Sequence, residues 1–507
     1  MKTRYIIYAL SSLLLLGSCT DSVMDKINKD THNPPEDMVP AKFQLTDAIT
    51  STAYSTLAGA YAWYVGSYTE QIFGTGNNQL MKAELRNRIE TAASTTFNNE
   101  WNATYSNLQN IKQLMAKCSE GGMSPDYYDI KAMGEVLWVL TAETLTTLHG
   151  DIPYSLALDK SNYTPAIDKQ ESIYKDLCKR IDGAIADLEK AVPEFGGESN
   201  AGSQDILFSG DLSKWLAFAY AVKAKVLVDG AFRYPENYAS AATAAQTAFD
   251  KGFAGASLAI FNGVSTDNSW AAYHWSRQYS GANGTVVDLL KARNDERLSL
   301  YSCYGYDDYG YTIVLDESYP APYAPAGDAE LAQATITVGF PAWFENGAAT
   351  IDYISESELH FILAECLARG GKDASEHFKA GVKASFSDME EASGESGFFA
   401  AGDVDAYIAT LPVTLEEIMV QKYLSEARDG QLYTYNDLRR CKAQGEEFIK
   451  LKNPNNTAGG RNQWPLRLPY GNSDVLSNPN VSAAFGSGNE AGSYLFTENI
   501  WLFGGTR

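Results

Sequence analysis

Between Asn268 and Tyr311 this chain crowds aromatic side chains against planar polar groups. Trp270, Tyr273, Trp275, Arg277 and Tyr279 fall within ten residues, with Asn268 beside them. Tyr301, Tyr304, Tyr306, Asp307, Asp308, Tyr309 and Tyr311 follow. Aromatic faces cover the apolar C–H face of a pyranose, while Asn, Asp and Arg at the edge hydrogen-bond its hydroxyls. If the second run is extended, alternate residues point to opposite sides and one side presents tyrosines. The candidate ligand contacts are therefore Trp270, Tyr273, Trp275, Arg277, Tyr304, Tyr306 and Tyr309. The competing reading is that these rings simply pin long loops to a scaffold. Trp343 and the loop with Asn77, Asn78 and Gln79 are further candidates. Trp63, Tyr64 and Trp101 lie in helical stripes and read as core.

Catalytic groupings are scarce. The five histidines are His32, His149, His274, His360 and His377, and none forms an H-E-x-x-H pair or neighbours a cysteine pair. No G-x-S-x-G elbow or Walker loop occurs. Asp307, Asp308 and Asp316 lack the loop pattern of a calcium site. No catalytic residue, metal site or cofactor is expected. Carboxylate pairs such as Asp307-Asp308 and Glu416-Glu417 leave a surface glycoside hydrolase as an alternative, because spacing in sequence does not set a cleft.

Six cysteines occur, and apart from Cys19 they are Cys118, Cys178, Cys303, Cys366 and Cys441. With no C-x-x-C pair, a zinc site or dense disulfide framework is disfavoured. Cys178 and Cys366 read as small core residues; one long-range bridge stays open. The formal charge is −23, from 63 acidic and 40 basic residues. Such a body repels nucleic acid and anionic headgroups.

The elements that must position the aromatic residues begin with a leader. Lys2 and Arg4 precede an apolar run from Ile6 to Leu16, too short to span a bilayer. Leu16-Gly17-Ser18-Cys19 resembles the lipobox of bacterial lipoproteins, which implies removal of residues 1–18 and acylation of Cys19. Residues 19–40 read as a tether and 41–507 as a single domain. Helical stripes are expected at 42–65, 96–117, 127–148, 172–192, 210–232 and 236–251. Pairs of these recur at tetratricopeptide-like dimensions. From 253 to 350 the helical pattern fades into an irregular insertion, with strand signals only at Tyr311–Leu315 and Thr335–Gly339. Helices return at 355–369, opened by a Ser355/Glu358 capping box, and continue at 374–388, 403–410 and 414–428 within a helical stretch to 442. Residues 443–507 are loop-rich. The fold class is mostly α: a tetratricopeptide-like scaffold with a long loop-rich insertion.

Several motifs resemble those of SusD/RagB-like lipoproteins, closest to the second SusD-like subfamily. They are Gly150-Asp151-Ile152-Pro153-Tyr154, Gly210-Asp211-Leu212-Ser213-Lys214-Trp215, the helix ending Ala364-Glu365-Cys366, Gln421-Lys422-Tyr423 with Leu438-Arg439-Arg440, and Pro465-Leu466-Arg467-Leu468-Pro469. Leu438 stands where Trp is more usual. The resemblance implies an outer-membrane, cell-surface lipoprotein that is not an enzyme and needs no organic cofactor. It further implies a lid that captures glycans or oligosaccharides, or in some branches peptides, for a SusC-like TonB-dependent transporter.

Overall fold

The computed structural model describes residues 39–74, 80, 83, 97–277, 280–306, 312–314, 339–452, 464–488 and 491–506. Residues 1–18, Cys19 and nearly all of the tether lie outside this set, as do Tyr279, Asp307, Asp308, Tyr309, Asp316, the 77–79 loop and most of the strand expected at Thr335–Gly339. The described chain is mostly helical, as expected.

The array runs through α1 (Ala41–Ser51), α2 (Ala60–Tyr68), α3 (Asn98–Lys117), α4 (Tyr128–His149), α5 (Gln170–Glu194), α6 (Leu212–Asp229) and α7 (Asn237–Asp250). Each helix from α3 to α7 packs on the next. The sequence shows why. On α5, Ile173, Leu177, Ile181, Ile185 and Leu188 form one buried stripe. On α6 and α7, Ala217, Ala221, Ala224, Ala241, Ala244 and Ala248 are buried, and side chains this small let the two helices approach closely. Asp211 caps α6 by accepting from the Ser213 and Lys214 amides.

The helix expected over 42–65 is broken. After α1 the chain makes a π-helical turn, Thr52–Leu57, and restarts at α2. At the break, a Cβ on Gly59 would lie 2.4 Å from the Tyr54 carbonyl oxygen, so only glycine fits. The widened turn leaves the Ala58 carbonyl free to accept from Ser269 Oγ, and Tyr54 OH donates to the Asp267 carbonyl. The π turn thus becomes the dock for the insertion.

Inside the insertion, helices appear where none was expected: α8 (Ser269–Arg277), α9 (Gly284–Arg293) and α10 (Leu298–Tyr301). Strand β1 (Phe73–Gly74) precedes α3 and β2 (Ile152–Pro153) pairs with β3 (Ile167–Asp168) after α4. Strand β4 (Ala256–Leu258) pairs antiparallel with β8 (Ile351–Ile354), closing the neck of the insertion. Between them, β5 (Ser280–Gly281) pairs with β1, and β6 (Tyr304–Tyr306) with β7 (Thr312–Val314).

Helices α11 (Glu356–Arg369), α12 (Ser375–Ser393), α13 (Ala401–Thr410), α14 (Leu415–Ser425) and α15 (Gln431–Ala443) follow, then short α16 (Asn472–Ser477) and α17 (Pro479–Phe485). Ser355 Oγ accepts from the Glu358 amide, as the capping pattern predicts. The Glu358 side chain does not return the bond; it is buried, and its Oε1 has no hydrogen-bond partner. Cys118, Cys178, Cys303, Cys366 and Cys441 are free thiols, and burial pushes Cys118, Cys303 and Cys441 up to about 12.

Candidate ligand-binding ridge and its buried support

Helix α8 divides the aromatic candidates between interior and surface. Asn268 opens it: its side chain accepts from the Trp270 amide and donates to the Ala349 and Thr350 carbonyls. That arrangement buries Asn268, so its amide knits the insertion together. Trp270 is 1% exposed and stacks on Phe344, ring centroids 5.5 Å apart at 16°. One turn on, His274 packs on Phe340 and Phe344, and burial lowers its pKa to about 3. These two residues form the inner face of α8. An exposed platform including Trp270 is thus corrected: the i, i+4 pair of large rings makes the helix's core face.

Trp275 faces the other way and is 39% exposed. Near it lies the Glu345 carboxylate, to which Thr312 Oγ1 donates at 3.4 Å. Burial raises the Glu345 pKa, and the neighbouring Trp275 and Thr312 oppose the rise. Beneath the indole lies Gly347, where a Cβ would come within 2.7 Å of Trp275 Cη2 and 2.9 Å of Asp267 Oδ1. Tyr273, half-buried, packs on Trp63 with centroids 4.1 Å apart and 30° between planes. Trp63, read as core, is therefore only half-buried and belongs to the ridge. Tyr64 and Trp101 are core, as expected. The Trp63 Nε1 donor and the Asp267 Oδ1 acceptor have no hydrogen-bond partner among the described residues. Tyr54 joins through Asp267, and Val264 and Ile260 are exposed on the adjoining loop.

The remaining candidates scatter. The backbone of Arg277 ends α8. Tyr304 is half-buried against Phe340, centroids 6.0 Å apart, and bridges its backbone. Tyr306 pairs with Thr312. Tyr309 lies outside the described residues. Trp343 is buried. The missed member, Trp63, was hidden because a helical stripe does not say how much of its edge a neighbour leaves uncovered.

The motif residues occupy the opposite environment. Arg440 holds both oxygens of Glu365, at 2.7 and 2.9 Å, and reaches Asp437 Oδ1 at 2.6 Å. Lys422 lies 2.6 Å from Asp437 Oδ2. Arg369 bridges Glu365 and Glu446, and Lys225 spans Asp229 and Glu143. Arg439 donates to the Thr147 and Leu466 carbonyls, and Gln421 accepts from Arg297. Arg467 is buried over the Tyr494 ring. His149, wrapped by Trp101, Tyr61 and Tyr470, is lowered to about 3 by burial. Nearby positive charge holds Asp229 and Glu365 down near 2 despite their burial. These residues form a dry spine linking α4, α6, α11, α14 and α15.

A helical array joined to a clasped insertion with an aromatic ridge is the architecture of this chain. Residues 35–470 match the SusD-like family described as "Starch-binding associating with outer membrane". The chain belongs to that family, whose members are binding proteins associated with the outer membrane. A SusD/RagB family protein from Bacteroides thetaiotaomicron is 31% identical, with a TM-score of 0.79 over 92% of this chain and 100% of the relative. A chitin-binding SusD homologue from Flavobacterium johnsoniae shares the fold at 18% identity, with a TM-score of 0.68 over 90% of this chain and 98% of its own. No curated protein matches significantly. Among the described residues, no helix is long and apolar enough to cross a membrane.

Proposed function

We propose that the chain is a cell-surface lipoprotein, anchored in the outer membrane through acylated Cys19, that captures glycans or oligosaccharides. It then delivers them to a SusC-like TonB-dependent transporter. Its contribution is binding rather than catalysis. The observation that carries the reading is Trp275, an exposed ring braced from below on the Gly347 backbone. A ring held this way loses little further rotamer entropy on stacking against a sugar. Trp63 and Tyr273 pack against each other beside it. Arg277, Tyr304, Tyr306 and Tyr309 are proposed as further ligand contacts. Modest affinity suffices, because a partner barrel below supplies retention by effective concentration.

The test is the full mature chain carrying Cys19→Ser, followed by Trp fluorescence and thermal shift against polysaccharides, oligosaccharides and peptides. The reading expects a glycan-specific response that Trp275→Ala removes, and co-purification of native lipoprotein with a TonB-dependent barrel. A response only to peptides, or product release from a polysaccharide, overturns it.

A further inference from the structure

Two histidines outside the ridge and the spine meet between α11 and α12. His360 Nδ1 and His377 Nδ1 lie 3.1 Å apart. Their ring centres are 5.3 Å apart, so the rings meet nearly head-on, with each Nδ1 aimed at the other. Phe249 of α7 stacks on His360 at 4.1 Å and 16°, and its ring centre is 5.6 Å from that of His377. His377 is 9% exposed. Two bare imidazole lone pairs at this distance repel, so one Nδ1 carries a hydrogen and the other accepts it. A shared zinc ion would sit about 2.0–2.1 Å from each nitrogen, and therefore well off both ring axes. The head-on geometry suits a proton and not a metal.

We infer that His360 and His377 form a one-proton latch between α11 and α12: His360 takes the positive charge, His377 stays neutral as its acceptor, and acid that charges both rings opens the joint. The surroundings assign the roles. His360 Nε2 has the Glu356 carboxylate 3.8 Å away, a counter-charge for an imidazolium. His377 stands in the first turn of α12, where the helix dipole opposes positive charge. Burial, and after it the charge of His360, lowers the His377 pKa, with Glu376 opposing. Phe249, which faces both rings from α7, carries no charge. With one proton the bond between the rings is charge-assisted; with two, like charges face each other at hydrogen-bond distance. The joint also bears on the insertion, because α12 near its far end offers the Ala392 carbonyl to Asn346 Nδ2 at 2.8 Å. The inference does not rest on the ridge, and its failure leaves the ridge reading untouched.

The test is nuclear magnetic resonance of the full mature chain carrying Cys19→Ser, with histidine labelled by ¹⁵N and His360→Asn and His377→Asn assigning the signals. The expected result is two separate steps: His360 charges first, and His377 at least about one pH unit lower. Asparagine keeps an acceptor near the place of Nδ1 and does not titrate. A histidine whose folded pKa is lowered loses stability on acidification. The melting temperature of His377→Asn minus that of wild type should therefore rise as pH falls below about 6.5. Asp388 is present in both chains, so its own pH dependence drops out of the difference. Added zinc should leave both ring signals unmoved. If His377→Asn does not fold, the two wild-type steps decide alone. Titration of both rings together near the ordinary histidine value, a melting difference constant with pH, or a zinc-induced shift of both rings overturns the proposal.

Discussion

The spine joining α4, α6, α11, α14 and α15 and the ridge around α8 both combine charge with aromatic rings, but water is excluded from one and left on the other. In the spine, Arg440 pairs with Glu365 and Asp437, and Tyr238 and Tyr433 cover Arg440 and Lys225. On the ridge, Trp275 keeps an open face. The lesson is that the recognisable motifs of this chain are structural, whereas its candidate chemistry lies in a stretch with no motif at all. Buried ion pairs need every partner; a capture surface needs an open ring face.

Substitutions should sort by region. The largest effect is expected from Arg440→Met, which strands Glu365 and Asp437 without their shared cation. Removing one member of a buried pair typically costs about 3–5 kcal/mol, read here by urea denaturation, and glycan affinity of the folded fraction should not change. Trp270→Ala should cost a similar amount, about 3–5 kcal/mol, through the cavity left against Phe344. If instead it leaves stability intact and abolishes binding, the division of α8 into two faces is wrong. Trp275→Ala, five residues away, should reverse the pattern: stability within about 0.5 kcal/mol of wild type, and roughly tenfold weaker glycan binding by fluorescence titration.

The smallest effect concerns pH. Asp388 is raised to about 7, first by burial and next by the neighbouring charge of Asp352, with Ser357 and Arg428 opposing. The folded state therefore holds a proton that the unfolded chain has already lost. This contribution to stability is greatest at low pH and declines as pH rises from about 4 to 7. Asp388→Asn removes that decline, so the melting temperature of the variant minus that of wild type should increase across the window. A constant difference would show that Asp388 ionises normally.

Much of the scaffold was legible because its signals are local. The α5 stripe, the Asp211 cap and the Ser355–Glu358 start each depend on residues within a few turns. The π turn was not legible, since the pressure on Gly59 comes from a carbonyl whose position depends on the turn itself. Helix α8 was misread because its Trp and Tyr residues were weighed as surface chemistry; Trp270 and His274, at i and i+4, carry the helical period in plain view. Which ring of α8 stays wet depends on Phe344 and Glu345, some seventy residues downstream, and no spacing reveals that. The spine escaped for the same reason: Glu365 and Arg440 meet across 75 residues.

The β4–β8 clasp has an evolutionary consequence. Its two strands lie side by side, roughly 5 Å apart, so residues 259–350 leave and return at a single gate. Lengthening such a loop adds little closure entropy, on the order of 0.6 kcal/mol per doubling. Beyond the gate the insertion also grips the array, through β5 on β1, Arg293 on Glu417 and Arg297 on Gln421. A fold arranged this way can lengthen its insertion cheaply at the gate, but must keep Arg293 and Arg297 in it to seat Glu417 and Gln421.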